Sequence, residues 1–381
     1  MRQADGYILQ DIAGVPYLLP YGQLIADHRH GVQLNETGIY LWNTLKRIHS
    51  RKELFSCFLE HFQAKPEDIP GMEQDFNRFF DQLSSFGMIE SEPSPASHHS
   101  SFCKYLCIGG LYLKLMGPAK AFSEDFEPFT VPDCQRTDMT IEVRMGSPAV
   151  HSNGTLILRS NDLLVCERKE DYLLLFPQAE QIQEASLAKD ASCACFYCLP
   201  PFSENLSADL FHAIRFAYLY LAQRNGLFAL HSASVLYNRQ AWLFSGRSGM
   251  GKSTHADLWN RMFHTPVING DLNLLSVTPD GPVVYGMPWC GTSGMADSMA
   301  YPLGGIVLLK QASTDSCLPL SDDQKTLLVM QRFISPAWTE EMLIRNLNFA
   351  KVLARLTRIC QLLCTKEPSA AYTMKEWIDQ I

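Results

Sequence analysis

Apolar and polar positions divide the chain into stretches of different period. At the start, Tyr7-Ile8-Leu9, Val15-Pro16-Tyr17-Leu18-Leu19 and Gln23-Leu24-Ile25 are short apolar runs broken by Gly14 and Tyr21-Gly22, which predicts three small strands joined by tight turns. The period then becomes helical. Asn35 precedes a stripe of Ile39, Trp42, Leu45 and Ile48, and Ser50-Arg51-Lys52-Glu53 forms a capping box ahead of Leu54, Phe55, Phe58, Leu59 and Phe62. A third helix carries Phe76, Phe79, Phe80, Leu83 and Phe86 and is expected to stop at Gly87. Three strands followed by three helices is a winged-helix-like order. The Pro- and Ser-rich stretch around 92–101 reads as a linker, with His98-His99 in a solvated tether.

From 102 to 200, apolar runs alternate with turns, at Gly109-Gly110, Gly117-Pro118, Asn153-Gly154 and Asn161-Asp162, as in a β-rich subdomain of hairpins. A helix then runs from Leu206 to Asn225, and Gly226 ends it. Further on, Ser321-x-x-Gln324 opens another helix. A last stripe of Met342, Leu343, Leu347, Ala350 and Leu353 follows Ser335-Pro336. The fold class expected is mixed α/β, in four parts: 1–91, a linker at 92–101, the β-rich 102–200, and an α/β domain over 201–381.

Composition narrows the function classes. The 381 residues are 46% hydrophobic and 19% charged with a net charge of −8, which disfavours nucleic acid or an anionic membrane as partner. Residues 1–95 hold 13 acidic against 8 basic side chains, so the winged-helix-like order brings no case for DNA. Twelve cysteines, with no apolar signal-type run near Met1 and no run of membrane-spanning length, predict reduced thiols in a cytoplasmic protein. Cys193-x-Cys195-x-x-Cys198 is the one tight cysteine cluster. Lacking a paired fourth ligand, it reads as strand thiols before a metal site.

Chemistry concentrates between Ala241 and Trp259. Gly246-Arg247-Ser248-Gly249-Met250-Gly251-Lys252-Ser253 is G-x-x-x-x-G-K-S, after the apolar Trp242-Leu243-Phe244 and before Thr254 and a helical stripe. Strand, glycine turn and helix aim backbone N–H groups and a helix N-terminus at one point, which suits a triphosphate. Lys252 would reach the β/γ-phosphates and Ser253 would hold Mg²⁺. Asp271 ends the short run Val267-Ile268-Asn269, 18 residues after Ser253, where a carboxylate meets Mg²⁺ or an attacking hydroxyl. His231 follows Leu227-Phe228-Ala229-Leu230 and precedes the loop strand, which puts it near the γ-phosphate. No Asn-Lys-x-Asp guanine motif is present, so ATP is the expected donor.

Two resemblances follow. Gly6-Tyr7-Ile8-Leu9, Ile12-Ala13-Gly14, Leu34-Asn35-Glu36-Thr37-Gly38, Leu41-Trp42 and Leu83-x-x-Phe86-Gly87-Met88-Ile89 resemble the PqqD-like family, whose domains recognise leader segments of ribosomally made, later modified (RiPP) precursor peptides. The resemblance implies β-augmentation, in a groove between a third strand, Leu24, Ile25, Ala26 and Asp27, and the third helix with Phe76, Phe79 and Phe80. A degenerate module kept for packing or dimerisation is the alternative, and self-association stays open.

His231-Ser232-Ala233, the loop, Ile268-Asn269-Gly270-Asp271 and Tyr285-Gly286-Met287-Pro288-Trp289-Cys290-Gly291-Thr292-Ser293-Gly294 resemble the HPr-kinase-like, phosphoenolpyruvate-carboxykinase-like group over 102–381. That resemblance implies a histidine by the phosphates, His231, and an aspartate that takes the acceptor proton or holds Mg²⁺, Asp271. The chain departs from HPr kinases in having Gly270-Asp271 for two aspartates and in lacking their later Arg-Gly-x-Gly. The HPr substrate and the phosphate-removing reaction therefore do not carry over, and His231 or His255 is left to assist the single acid. The function expected is an ATP- and Mg²⁺-dependent kinase acting on Ser or Thr of a captured precursor peptide. A kinase of a small metabolite or carrier protein, and a nucleotide-dependent adaptor without turnover, are the alternatives.

Overall fold

Asn35 and Ser50 begin helices as their side chains dictate. Asn35 Oδ1 accepts from Gly38 N–H at the head of Glu36–Leu45, and the Ser50 hydroxyl accepts from Glu53 N–H at the head of Arg51–His61. The computed structural model describes residues 1–26, 31–86, 88–90, 102–133, 136–146, 148, 154–200, 203–291, 294 and 296–380. It divides into one unit of Met1–Ser97 with Gly146–His151 and a second of His98–Met145 with Ser152–Ile381. The linker stretch with His98-His99, and Gly87, lie outside the described residues.

In the first unit Tyr7–Ile12 and Val15–Pro20 form a hairpin in unbroken register, turned at Ala13-Gly14, both at positive φ. Val32–Gln33 adds a third strand beside Tyr17 and Leu18. The helices Glu36–Leu45, Arg51–His61 and Ile69–Ser85 close over the hairpin's inner face through Leu18, Leu41, Trp42, Leu54, Phe58 and Phe80.

The groove expected here needs correction. Gln23–Ala26 is a turn of helix, not a strand. Tyr21 N–H leaves the hairpin for Gly6 O, Gly22 reverses the chain at φ +65°, and Ile25 N–H returns to Gly22 O. Leu24 packs against Gly6, where a Cβ would stand 2.6 Å from its Cδ1, while Ile25 is exposed; Asp27 lies outside the described residues. Phe76 and Phe80 are core residues and Phe79 is half-buried beside Gly38, so the aromatic stripe of the third helix builds the interior rather than a groove.

The second unit begins with a nine-stranded sheet. Its order is Thr155–Arg159, Leu164–Glu167, Asp171–Leu175, Ile182–Ala188, Cys193–Cys198, Met139–Met145, Leu111–Met116, Cys103–Ile108, Thr130–Val131, with Met139–Met145 parallel to both neighbours. One face packs on the long helix Glu204–Arg224 through Leu206, Leu210, Ile214, Ala217 and Leu221. The cysteine cluster lies within Cys193–Cys198, where strand alternation sends Cys198 to the buried face, away from Cys193 and Cys195. Burial pushes the Cys195 thiol up to about 11 and Cys198 up to about 12. Three thiols split across a sheet cannot close on one ion.

An eight-stranded sheet follows, and two long strands shape it. Phe228–Tyr237 pairs with Leu272–Thr278 along its first half and with Gln240–Ser245 along its second. Ala300–Gln311 pairs first with Gly281–Tyr285, then runs parallel to both Gln240–Ser245 and Arg358–Cys364. Gly304 and Gly305 allow this, since a Cβ on either would stand within 2.6 Å of the Trp242 ring. The helices Lys252–Phe263 and Pro368–Asp379 pack with the Trp242, Phe244 and Trp259 core, and Glu340–Leu356 covers a second one. That last helix buries Met342, Asn346, Phe349, Ala350 and Leu353. Its buried face is thus turned from the predicted stripe, leaving Leu343 exposed. Among the described residues no helix is long and apolar enough to cross a membrane.

Candidate active site

The site grows from the point where Phe228–Tyr237 changes partners. His231 is the last residue paired to Leu272–Thr278, opposite Leu272, and Ser232 is the first paired to the loop strand, opposite Ser245. That change brings the end of the loop strand and the start of Leu272–Thr278 to the same place. His231 N–H donates to Arg332 O at 2.9 Å, and Ser232 N–H donates to Asp271 O at 3.0 Å. The Ser245 hydroxyl donates to His231 O at 2.7 Å.

After Ser245 the chain enters the glycine turn. Gly249 and Gly251 sit at φ +77° and +90°, values that L side chains resist. Gly251 precedes the helix Lys252–Phe263, and its carbonyl accepts from His255 N–H. Arg247, Ser248, Gly249, Ser253 and Thr254 are exposed at the mouth; Gly246 is buried and Met250 half-buried. Lys252 curls inward, with Nζ 3.4 Å from Gly246 O and 3.5 Å from Arg247 O. Burial lowers its pKa, Asp271 opposes that shift, and Arg332 adds to it.

Asp271 faces the same space. Its Oδ1 is 3.6 Å from His231 Nδ1, both side chains about one third exposed. Burial first, then the Lys252 charge, lower the His231 pKa, against a smaller pull from Asp271. The imidazole is therefore neutral near pH 7, and the pair is a loose contact rather than a salt bridge. His231 thus feels the charges of Lys252, Asp271 and Arg332, Lys252 those of Asp271 and Arg332, and Arg332 that of Arg247.

A buried polar network fixes the acid. Asn269 Oδ1 accepts from the N–H groups of both Asp271 and Leu272 at 2.9 Å, while its Nδ2 donates to Met287 O. Asn269 N–H donates to the Ser234 hydroxyl, which donates to Asn273 Oδ1; Asn273 Nδ2 donates to Ser232 O and Oγ. All four side chains are fully buried, so each hydrogen bond acts in a dry interior, where leaving it unmade is costly. On its other side Asp271 touches Gly291, where a Cβ would lie 2.9 Å from Asp271 Cβ. Sequence reading singles out the loop, His231 and Asp271 and assigns no separate role to Asn269, Asn273, Ser232, Ser234, Arg215 or Arg332. For Ser234 and Asn273 the visible signal is a polar residue at a strand position flanked by apolar ones.

His255, the other helper considered, turns away. It is 3% exposed against the Phe244 ring, its Nε2 has no hydrogen-bond partner among the described residues, and burial pushes its pKa down to about 4. Thr292 and Ser293 lie outside the described residues.

Magnesium fits the donor set. The exposed Ser253 hydroxyl and the Asp271 carboxylate are hard oxygen donors, and Mg²⁺ is held by one or two protein oxygens with phosphates and water completing the octahedron. Among the described residues no group of three or more His, Cys, Asp and Glu forms a cage of the kind a resident structural metal uses.

Comparisons add little. No family model matches the chain, and no curated protein matches it. One solved structure similar to part of it is the HPr(Ser) kinase/phosphatase from Coxiella burnetii, at 16% identity and a TM-score of 0.20, covering 25% of this chain and 65% of that one, under two thirds of its length. So small an overlap fixes neither the fold nor the activity of this chain.

Proposed function

We propose that the protein is an ATP- and Mg²⁺-dependent phosphotransferase that places the γ-phosphoryl group on a Ser or Thr hydroxyl of a ribosomally made peptide held by the first unit. The observation that carries this reading is the position of Asp271: a carboxylate 3.6 Å from His231, in charge contact with the loop lysine, on a rigid buried base. Loop N–H groups and the helix start bind phosphate, and Lys252 neutralises the charge that spreads over the transferred group. Asp271 orients the acceptor hydroxyl and takes its proton. The neutral His231 offers a hydrogen bond beside it. Mg²⁺, held by Ser253 and Asp271, supplies further charge neutralisation when bound.

Peptide capture has its support in the strand Tyr7–Ile12, which among the described residues pairs on one side only and carries Ile8 and Ile12 at 45% and 51% exposure. An extended leader adding there follows the strand-addition mode. Incubation of the protein with ATP, Mg²⁺ and short Ser- or Thr-containing precursor peptides is expected to add one phosphate, read by mass spectrometry. Asp271→Asn is expected to abolish transfer while leaving binding of a non-hydrolysable ATP analogue within about twofold, because the carboxylate acts in the transition state more than in the ground state. Full activity in that variant sinks the mechanism.

A further inference from the structure

The long helix Glu204–Arg224 sets three residues on one face at helical spacing: Phe211, Arg215 and Tyr218. Phe211 and Tyr218 both lie against the Trp289 ring, at 5.7 and 5.4 Å between centroids, and Trp289 Nε1 donates to Phe211 O at 2.8 Å. Two residues past Trp289, Gly291 touches Asp271. Arg215 stands on that same helix face, one turn from each of the two rings. Its charge reaches Asp271, Asp162 and His231.

Arg215 is also unspent. Among the described residues no carboxylate comes within ion-pairing distance of it and its guanidinium makes no hydrogen bond; the ring of its neighbour Phe216 lies 5.4 Å away. Its planar fork matches a carboxylate or phosphate. We infer that Arg215 grips an anionic group of the phosphate acceptor, beside the hydroxyl that Asp271 receives. Resting on the kinase reading above, this makes the acceptor segment acidic: a Ser or Thr next to an Asp or Glu side chain, or at a free C-terminal carboxylate.

Paired synthetic peptides test it. One set carries Ser beside Asp with an Asn twin, the other a C-terminal Ser as the free acid with its amide twin. Transfer of labelled phosphate is measured for the wild type, Arg215→Gln and Arg215→Lys, together with affinity for a non-hydrolysable ATP analogue. The expected result is about tenfold or more preference in kcat/KM for one acid over its neutral twin. That preference collapses to near unity in Arg215→Gln and returns in part in Arg215→Lys, with analogue affinity unchanged. Equal use of acid and neutral twins by the wild type overturns the inference, as does a variant that loses both twins alike. Should no peptide accept phosphate, titration of inorganic phosphate into the analogue-loaded protein decides. Binding lost in Arg215→Gln keeps the anion site while removing the peptide acceptor, and no binding removes the site. An analogue that fails to bind at all sinks the nucleotide reading and this inference with it.

Discussion

At the scale of single residues the clearest constraint on Asp271 is the hydrogen at Gly291. A methyl there would meet Asp271 Cβ at 2.9 Å and Cγ at 3.3 Å, and the backbone sits at φ +63°. Gly291→Ala is expected to cost about 1–2 kcal/mol of backbone strain and to displace the carboxylate. Phosphoryl transfer should then fall about a hundredfold, as misplacement of a catalytic group does, while analogue affinity stays within about twofold. His255 gives a different signal. Its pKa is about 4 in the folded chain, against the ordinary 6.5, with burial the main cause. The unfolded chain therefore binds a proton that the folded one refuses. The resulting contribution is fully present above pH 6.5 and is lost as pH falls toward 4, about 3 kcal/mol in all. His255→Met should flatten the fall of Tm between pH 6.5 and 4.5. An unchanged slope would assign that fall to other groups. Both positions bear on legibility: the motif exposed Lys252 and Asp271, but only packing distinguishes a histidine at the site from one inside the core.

At the scale of elements the turn that carries Asp271 depends on Asn269, whose single amide oxygen holds two N–H groups and whose amide nitrogen closes a third bond. Asn269→Ala leaves those groups unmatched in a buried place. It should cost about 3 kcal/mol, a drop of roughly 5 °C in Tm for a unit of this size. Because the network has no redundancy, the loss of transfer should persist at temperatures where the variant is folded. Helices were readable where caps announce them: Asn35, Ser50 and the capping box at Ser321 and Gln324 are all formed. Gly251 ahead of the loop helix was readable for a related reason, its φ of +90°. Leu24-Ile25 misled because two apolar residues after a glycine carry no period, and Gly22 turned them into helix. Leu343 misled because a stripe one position over is equally periodic until Asn346, which pairs with Gln223 inside the core, is recognised as a buried residue.

Over the whole molecule the two units are one chain, and their covalent link gives the proposed capture its effect. The pairing of Met139–Met145 with Cys193–Cys198, parallel and across some fifty intervening residues, had no local sign in the sequence; such contacts are set by the shared core on the long helix, not by turn chemistry. The charge balance was legible, and it matters here, since a net charge of −8 opposes an acidic peptide unless something holds it. A leader bound at the Tyr7–Ile12 edge would supply that hold, raising the local concentration of the acceptor segment to the millimolar range that short tethers give. Ile8→Lys with Ile12→Lys tests this without touching the catalytic unit. Both side chains are exposed on an edge strand, where lysine is tolerated and blocks strand addition. The double variant should raise KM for a full-length precursor by ~10–100-fold and leave both analogue affinity and kcat/KM for a leaderless acceptor fragment unchanged. If full-length precursor and fragment respond alike, the edge strand has no part in capture, and the first unit serves something other than delivery of the peptide to Asp271.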